Sequence, residues 1–227
     1  HDVDVQPAPP EGQVGSVVSV VGREDALLLD VERLFELLAR HGLGVERQSF
    51  QIAEVSVMDE NRRLTQIYSP SESKILPFQN FDLGLYVQNK IAGIRLENSL
   101  KIQLQTPLRI RRNKELLENI PFAEFFKQCS LRLKFIFENY GTPLEYDYQD
   151  LVETSKNIES THNNLWRHNF TRRTNRQKTK LDLDGMLGEI VFNGQNLESF
   201  LPFVLACEIL HIGSASSLGL GKYQISN

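Results

Sequence analysis

HIGSASSLGLGKYQI, the stretch from His211 to Ile225, places three glycines within nine residues, between two predicted elements of regular structure. Glycine loses more backbone entropy on folding than any other residue. A chain that sets Gly213, Gly219 and Gly221 so close together therefore uses their freedom at positive φ or their lack of a side chain. The stretch predicts a loop in which the backbone comes close to another group.

The elements on either side of this loop exclude two common phosphate-binding motifs. The loop lacks the Gly-Lys-Ser/Thr ending of a P-loop. It follows a predicted helix over Leu197–Leu210 and precedes a short predicted strand over Tyr223–Ile225, the reverse of the order that a dinucleotide-binding loop requires. Small residues still let backbone N–H groups approach an anion, so an anion-binding loop stays open.

Outward from the loop, the second half of the sequence alternates between strand and helix patterns. One long segment has apolar residues at three- and four-residue spacing, with a proline in its first turn and a glycine after its end. This segment is a predicted helix over Pro121–Gly141. The other predicted elements here are a strand over Ser99–Ile110 and a strand pair over Leu165–Phe192. The complete order, β-α-β-β-α-β, is that of a ferredoxin-like unit.

The first half contains the same kinds of element in an incomplete order. The predicted elements are strands over Val14–Val21, Gln48–Val57 and Leu64–Tyr68 and a helix over Leu28–Leu38, followed by a linker over Ser69–Phe81. We therefore predict an α+β protein with two tandem ferredoxin-like (RRM-like) domains, the first one incomplete at its N-terminus. The boundaries are a lead-in over residues 1–13, the partial first domain over 14–80 and the second domain over 81–227.

Composition limits the function classes. The 227 residues carry a net charge of −4, so an anion site must be a local patch. Cys129 and Cys207 lie in apolar helical patterns, which predicts reduced core residues in a cytoplasmic protein. No apolar run approaches the roughly 18 residues of a membrane span, so no membrane partner is predicted. The proline-rich lead-in without an initiator methionine suggests a fragment of a longer polypeptide.

A local basic patch lies inside the predicted strand pair. The segment WRHNFTRRTNRQKTK, Trp166–Lys180, has six cations and no acid. Cations with interleaved rings are typical of a track for a phosphate backbone and its unpaired bases. The alternative is a strand edge that charge protects from aggregation. The cations are Arg167, Arg172, Arg173, Arg176, Lys178 and Lys180, and the rings are Trp166, His168 and Phe170.

Two further patterns are less specific. Arg109, Arg111 and Arg112 follow Thr106-Pro107 at the end of a predicted strand, and either a surface turn or a ligand contact fits them. The five histidines and two cysteines include no pair with the spacing of metal ligands, so neither a metal nor another cofactor is predicted.

Several short motifs, taken in order, resemble the glycine-rich RAMP superfamily. More closely, they resemble the CRISPR-associated endoribonuclease that processes precursor CRISPR RNA. The motifs are Val20-Val21-Gly22, His41-Gly42-Leu43-Gly44 with Arg47, Thr106-Pro107-Leu108-Arg109, Trp166 with residues 171–177, Gly185 with Gly188-Glu189-Ile190, and His211-Ile212-Gly213 through Gly219-Leu220-Gly221.

The resemblance implies binding of CRISPR repeat RNA and one metal-independent cut, in which a ribose 2′-OH attacks the adjacent phosphate. Such a cut needs a base, an acid and cations for the phosphorane charge. The resemblance implies His211 as the first candidate catalytic residue and His168 as the second. Purely structural roles for His211, capping the helix or holding the loop, stay open. The implied RNA-binding residues are the six cations of the basic patch, Arg109, Gly213, Gly219 and Gly221.

The resemblance also implies partners and alternatives. Some relatives are inactive RNA binders, and others are domains of larger polypeptides that include a reverse transcriptase and an integrase. The chain is therefore expected to be an endoribonuclease, or an inactive RNA-binding or scaffold domain, fused to or in complex with CRISPR adaptation or effector proteins. The family's first strand and helix should precede Val14, so the catalytic histidine could lie there. Valine at Gly219 or Gly221 is expected to weaken RNA binding more than stability.

Overall fold

The structure is a computed structural model that describes residues 37, 40–42, 52–69, 76–141, 148–169, 171–173 and 180–226. Its strands are β1 Val55–Met58, β2 Leu64–Tyr68, β3 Ser99–Leu108, β4 Arg111–Arg112, β5 Glu115–Leu116, β6 Glu159–His168, β7 Thr171–Arg173, β8 Lys180–Asp182, β9 Gly185–Asn193 and β10 Tyr223–Ser226. Its helices are α1 Leu83–Gly93, α2 Phe122–Tyr140, α3 Tyr148–Ser155 and α4 Leu201–Leu210, with 3₁₀ turns at Leu197–Phe200 and Ser216–Leu218.

Four strands form a central antiparallel sheet in the order β10-β3-β9-β6. Every second side chain of its two inner strands is buried, as Leu100 and Ile102 are in β3 and Ile190 and Phe192 are in β9. This period of two gives the sheet one apolar face and one more polar face. The chain enters the sheet in the order β-α-β-β-α-β predicted for the second half, and the α+β class is confirmed.

Helices α2 and α4 cover the apolar face of the sheet and complete the core. Helix α2 begins immediately after Pro121 and ends before Gly141, as the sequence predicts. At the centre of the core, the Phe122 ring packs edge-on against Phe192 and Phe200, each at 5.1 Å between ring centroids. Helix α4 starts with its proline in the first turn, where the missing N–H is tolerated.

The prediction that both cysteines are core residues is confirmed. Cys129 in α2 and Cys207 in α4 are both free thiols with fully buried side chains. The thiol of Cys207 donates a hydrogen bond to the carbonyl oxygen of Cys129 at 3.5 Å. Together they link the two helices of the core by packing and a weak polar contact.

Strands β1 and β2 and helix α1 precede the central sheet, and of these three elements only the two strands were predicted. Strands β1 and β2 form an antiparallel hairpin, and α1 then packs against α4. Helix α1 was not predicted from the sequence. Its local signals are Asp82, whose carboxylate caps the helix by accepting from the N–H of Leu85, and apolar residues at helical spacing such as Leu83, Tyr86 and Val87.

Several predicted elements fall outside the described residues. They include the strand over Val14–Val21 and all but Leu37 of the helix over Leu28–Leu38. The predicted strand over Gln48–Val57 is represented by β1 at its end. The strand pair over Leu165–Phe192 is present as two ladders, β6 with β9 and β7 with β8.

Candidate nucleic-acid interface

The glycine-rich loop has all three glycines at positive φ, with 79° at Gly213, 84° at Gly219 and 75° at Gly221. A Cβ on Gly221 would overlap the carbonyl oxygen of Ile212, whereas a Cβ on Gly219 would meet no atom within 4 Å. Gly221 therefore lets two backbone segments touch. For Gly221, the expectation that valine would act mainly on RNA binding is wrong, because a side chain there would disrupt the loop first. For Gly219, it stays a prediction.

Hydrogen bonds hold this loop against the end of β3. The N–H of Gly221 donates to the carbonyl of Pro107 at 3.1 Å, and the N–H of Ser214 donates to the carbonyl of Arg109 at 2.9 Å. The hydroxyl of Thr106 donates to the carbonyl of Gly219 at 2.9 Å. The motif around Thr106 and the glycine-rich loop, more than 100 residues apart, therefore form one local structure.

His211 occupies the end of α4, where this loop begins. Its backbone has φ 58° and ψ 154°, a region that side-chain-bearing residues rarely adopt and that costs about 1–3 kcal/mol. Its imidazole is half-buried. Burial, and then the positive charges of Lys222 and Arg132, lower the pKa of His211 from its ordinary value. The imidazole therefore stays neutral at pH 7, the form that can accept a proton.

Arg132 on α2 supports this corner of the fold. Its Nε donates a hydrogen bond of 2.9 Å to the carbonyl of Leu210, the residue before His211. The bond satisfies one of the carbonyl groups that the end of a helix leaves without an intrahelical donor. It also places a guanidinium beside the histidine.

A second part of the site is a buried carboxylate shared by three arginines, which we call the Asp184 cluster. Oδ1 of Asp184 accepts from Arg109 at 3.1 Å and from Arg111 at 3.2 Å, and Oδ2 accepts from Arg167 at 2.7 Å. Burial raises the pKa of the Asp184 carboxyl, but these hydrogen bonds outweigh it and hold the pKa below its ordinary value.

The Asp184 cluster separates the predicted RNA-binding arginines into two kinds. Arg109 is only 8% exposed, so its guanidinium is part of the interior of the site. The side chains of Arg111 and Arg167 are 42% and 49% exposed and present N–H groups to solvent as well as to Asp184. Glu118 lies 3.9 Å from Arg167, so two carboxylates face three guanidinium groups, which leaves a local excess of positive charge at the end of the sheet.

The remaining predicted residues lie on or beyond the β6–β9 hairpin. His168, the last residue of β6, is exposed and pairs with Gly185 across the ladder. The backbones of Arg172, Arg173 and Lys180 lie in the β7–β8 ladder that extends this hairpin. Arg176, Lys178 and Phe170 lie outside the described residues.

The structure thus brings His211, the three loop glycines, Arg109, Arg167 and His168 to one end of the sheet. Two members of this site, Asp184 and Arg132, were not predicted from the sequence. The signal for Asp184 was its place in LDLDG, residues 181–185, an acid next to apolar residues directly after the basic patch. Arg132 carried no such signal, because a single arginine in an amphipathic helix is ordinary.

Within the described ranges, no three His, Cys, Asp or Glu side chains are grouped as metal ligands would be. None of the helices in that part of the chain is long and apolar enough to cross a membrane.

The fold resembles solved structures of Cas6 proteins. Chains of a Cas6-RT-Cas1–Cas2 complex and of its partial form align with a TM-score of 0.51 and 15% identity, covering 87% of this chain and 21% and 33% of those chains. Cas6 of Thermus thermophilus aligns with a TM-score of 0.46 and 13% identity over 61% of this chain and 57% of that chain. This chain thus spans little more than half the length of that Cas6.

Sequence comparison identifies the family. No curated protein matches the sequence significantly. The family described as CRISPR-associated endoribonuclease Cas6 matches residues 102–223, more than half of the 227 residues. That segment includes most of β3, both helices of the core, the basic patch and the glycine-rich loop, and the chain therefore belongs to the Cas6 family of CRISPR-associated endoribonucleases.

Proposed function

We propose that this chain binds CRISPR repeat RNA and cuts it once, without a metal, by attack of a ribose 2′-OH on the adjacent phosphate. One observation carries the proposal. Within the segment that matches the family, folding gathers a neutral, half-buried histidine, a loop of positive-φ glycines and a cluster of arginines at one end of the sheet. The histidine and the arginines supply two of the kinds of group that such a reaction needs, a proton acceptor and cations.

In this proposal His211 is the first candidate base. Its lowered pKa keeps the imidazole deprotonated at neutral pH, and its backbone conformation is held by the hydrogen bond from its N–H to the carbonyl of Cys207 at 2.9 Å. Arg111 and Arg167 would stabilise the charge that develops on the phosphate. His168 is the second candidate, since it lies exposed at the end of β6.

The proposed architecture follows the same reasoning. The antiparallel strand order and the β-α-β-β-α-β sequence of elements support a ferredoxin-like unit within residues 81–227. We infer a tandem arrangement in which residues 14–80 belong to an incomplete first unit, to which β1 and β2 would contribute.

The test is cleavage of a 5′-labelled repeat RNA in EDTA by the chain and by three histidine variants. We expect a single cut that leaves a 2′,3′-cyclic phosphate. Loss of a general base lowers rates by about 10²- to 10⁴-fold, so His211→Ala should lose most activity. His162→Ala is the matched control, because His162 lies on the same strand as His168 near its other end. A cut that survives His211→Ala but not His168→Ala would transfer the role to His168.

The second candidate function is an inactive RNA-binding or scaffold domain. The observation that favours it is that Arg109, Arg111 and Arg167 already share Asp184, while His211 ends a helix, so structural roles account for all of them. Its partners would be CRISPR adaptation or effector proteins, covalently fused or in complex. The shared fold with a chain of a Cas6-RT-Cas1–Cas2 complex supports a fused reverse transcriptase and integrase as the first to test. Tight RNA binding without any cut would favour this function.

A further inference from the structure

The polar face of the central sheet carries an exposed tryptophan. Trp166 in β6 is paired with Leu187 in β9, and its side chain is 54% exposed. Leu187 and Glu189 are half-buried, whereas Met186 and Ile190 point into the core. The ring of Trp166 therefore lies on the face of the sheet that the helices leave uncovered.

The ring of Trp166 lies beside a glycine of the neighbouring strand. Gly188 has a φ of 122°, and a Cβ on it would overlap the carbonyl oxygen of Asn164 and would also lie 2.9 Å from Cζ3 and 3.0 Å from Cε3 of Trp166. The indole thus lies against the bare backbone of β9, where the pairing of β6 with β9 itself requires a glycine. One side of the ring is held by the strand, so the ring is already oriented before any ligand arrives.

The surroundings of the ring are polar. The side chain of Gln103 donates to the carbonyl of Gly188 at 3.1 Å, and Glu189 is neutralised by Lys101 at 2.7 Å. Asn164 and His168 lie two residues before and after Trp166 on β6 and share its face. A flat apolar surface bordered by amide and imidazole groups matches an unpaired nucleobase, which has a π-face for stacking and polar edges.

We propose that Trp166 is a stacking platform for one unpaired base of the RNA, on the polar face of the sheet. The proposal rests on the proposed RNA-binding function and adds that the substrate must present a single-stranded nucleotide next to the site. A base inside a duplex cannot occupy the platform, because both of its faces are covered by neighbouring bases.

The first test uses intrinsic fluorescence. Trp166 is the only tryptophan in the sequence, so the indole emission of the chain reports on this ring alone. The probes are an unlabelled repeat RNA with single-stranded flanks and the same RNA fully paired to its complement. We expect the single-stranded form to quench the emission and the paired form to leave it unchanged. Equal quenching by both forms would overturn the requirement for an unpaired base.

The second test measures affinity by the anisotropy of a labelled repeat RNA. Loss of one stacking contact corresponds to a Kd increase of roughly 5- to 150-fold, which we expect for Trp166→Leu, while Trp166→Phe should retain most of the affinity. The matched control is Phe135→Leu, because Phe135 is a ring of similar exposure, 51%, on helix α2. Thermal melting of each variant shows that it is folded. Because Trp166 is exposed, its substitution should lower the stability of the fold only slightly.

The outcomes separate the two proposals. If the labelled RNA binds while the indole emission stays constant and Trp166→Leu binds normally, the platform is wrong and the proposed RNA-binding function stands. If no repeat RNA binds at all, the proposed function fails and the platform fails with it. If Phe135→Leu weakens binding as much as Trp166→Leu, the effect is not one of stacking at this site and the inference is overturned.

Discussion

The hydroxyl of Tyr86 donates a hydrogen bond of 2.8 Å to Oε2 of Glu208, a residue 122 positions later in the chain. Both side chains are buried, with exposed fractions of 0% and 2%. The other carboxylate oxygen of Glu208 lies 3.2 Å from a guanidinium nitrogen of Arg62 and accepts from the N–H of Ile225 at 3.2 Å. One buried carboxylate therefore joins the β1–β2 hairpin, α1, α4 and β10.

Removal of the Tyr86 hydroxyl should weaken this connection. In Tyr86→Phe, Glu208 loses a donor, and Arg62 loses one of its two acceptors, the hydroxyl at 3.0 Å, while it keeps the carboxylate of Glu208. A buried polar group left without its partner costs about 1–3 kcal/mol, so we expect the free energy of unfolding in urea to fall by that amount. Tyr140→Phe, at a tyrosine that is 44% exposed, is the control and should change stability by less than about 0.5 kcal/mol. Equal stability of the two variants would contradict the role of the network.

Two loop glycines should differ in their sensitivity to a single methyl group. Gly219→Ala meets no neighbour and should cost only the strain of positive φ, about 1–2 kcal/mol. Gly221→Ala bears the same strain and also forces the backbone at Ile212 to move, which should add about 1–3 kcal/mol. Urea denaturation of both variants measures the difference, and similar losses would show that the loop relaxes freely around residue 221.

Asp184 should stabilise the fold in a pH-dependent manner. Its pKa is lower in the folded protein than in the unfolded chain, so its contribution is fully present above about pH 4 and is lost as the pH falls through the lowered value. At pH 7, Asp184→Asn should lower the free energy of unfolding by at least the value of one charge-assisted hydrogen bond, about 1.5–3 kcal/mol. The difference in unfolding free energy between the unchanged chain and Asp184→Asn should become smaller below pH 4, and urea denaturation at several pH values measures it.

The control for the Asp184→Asn variant is Glu189→Gln, which removes an ion pair with the half-exposed Lys101. Exposed pairs contribute about 0–1 kcal/mol, so its unfolding free energy should stay close to that of the unchanged chain. A gap between Asp184→Asn and the unchanged chain that is constant from pH 7 to pH 3 would mean that the carboxylate charge is not responsible.

The exposed part of the Asp184 cluster should affect RNA binding through charge. If Arg111 contacts a phosphate, Arg111→Gln should weaken binding of every RNA sequence by a similar factor and reduce the slope of log K against log salt by about 0.7–0.9. Lys134→Gln is the matched control, because Lys134 is 61% exposed on α2 and lies outside the cluster. Anisotropy titrations at several salt concentrations measure both slopes, and identical slopes would leave Arg111 as a purely structural partner of Asp184.

The spacing of apolar residues along the sequence was sufficient to predict several elements of this fold. The apolar stripe between Pro121 and Gly141 gave the bounds of α2 to within one residue, because helix period and terminal residues are encoded within a few positions. The alternation of Leu100, Ile102 and Leu104 predicted β3 for the same reason. Helix α1 was missed, since its stripe is short and follows a segment with the composition of a linker.

By itself, the sequence determined most strands of the central sheet and its two core helices, where the glycine-rich loop lies and that the cysteines are core residues, because each depends on period or residue type along a short segment. Only the tertiary structure decided what the charged and small residues do. Arg109 is neutralised by Asp184, 75 residues away, and Gly221 makes room for the backbone of Ile212. Trp166 lies on Gly188 only because β6 and β9 pair in that register. A charge or a glycine has no preferred partner in one dimension, and folding selects the partner by desolvation and close packing.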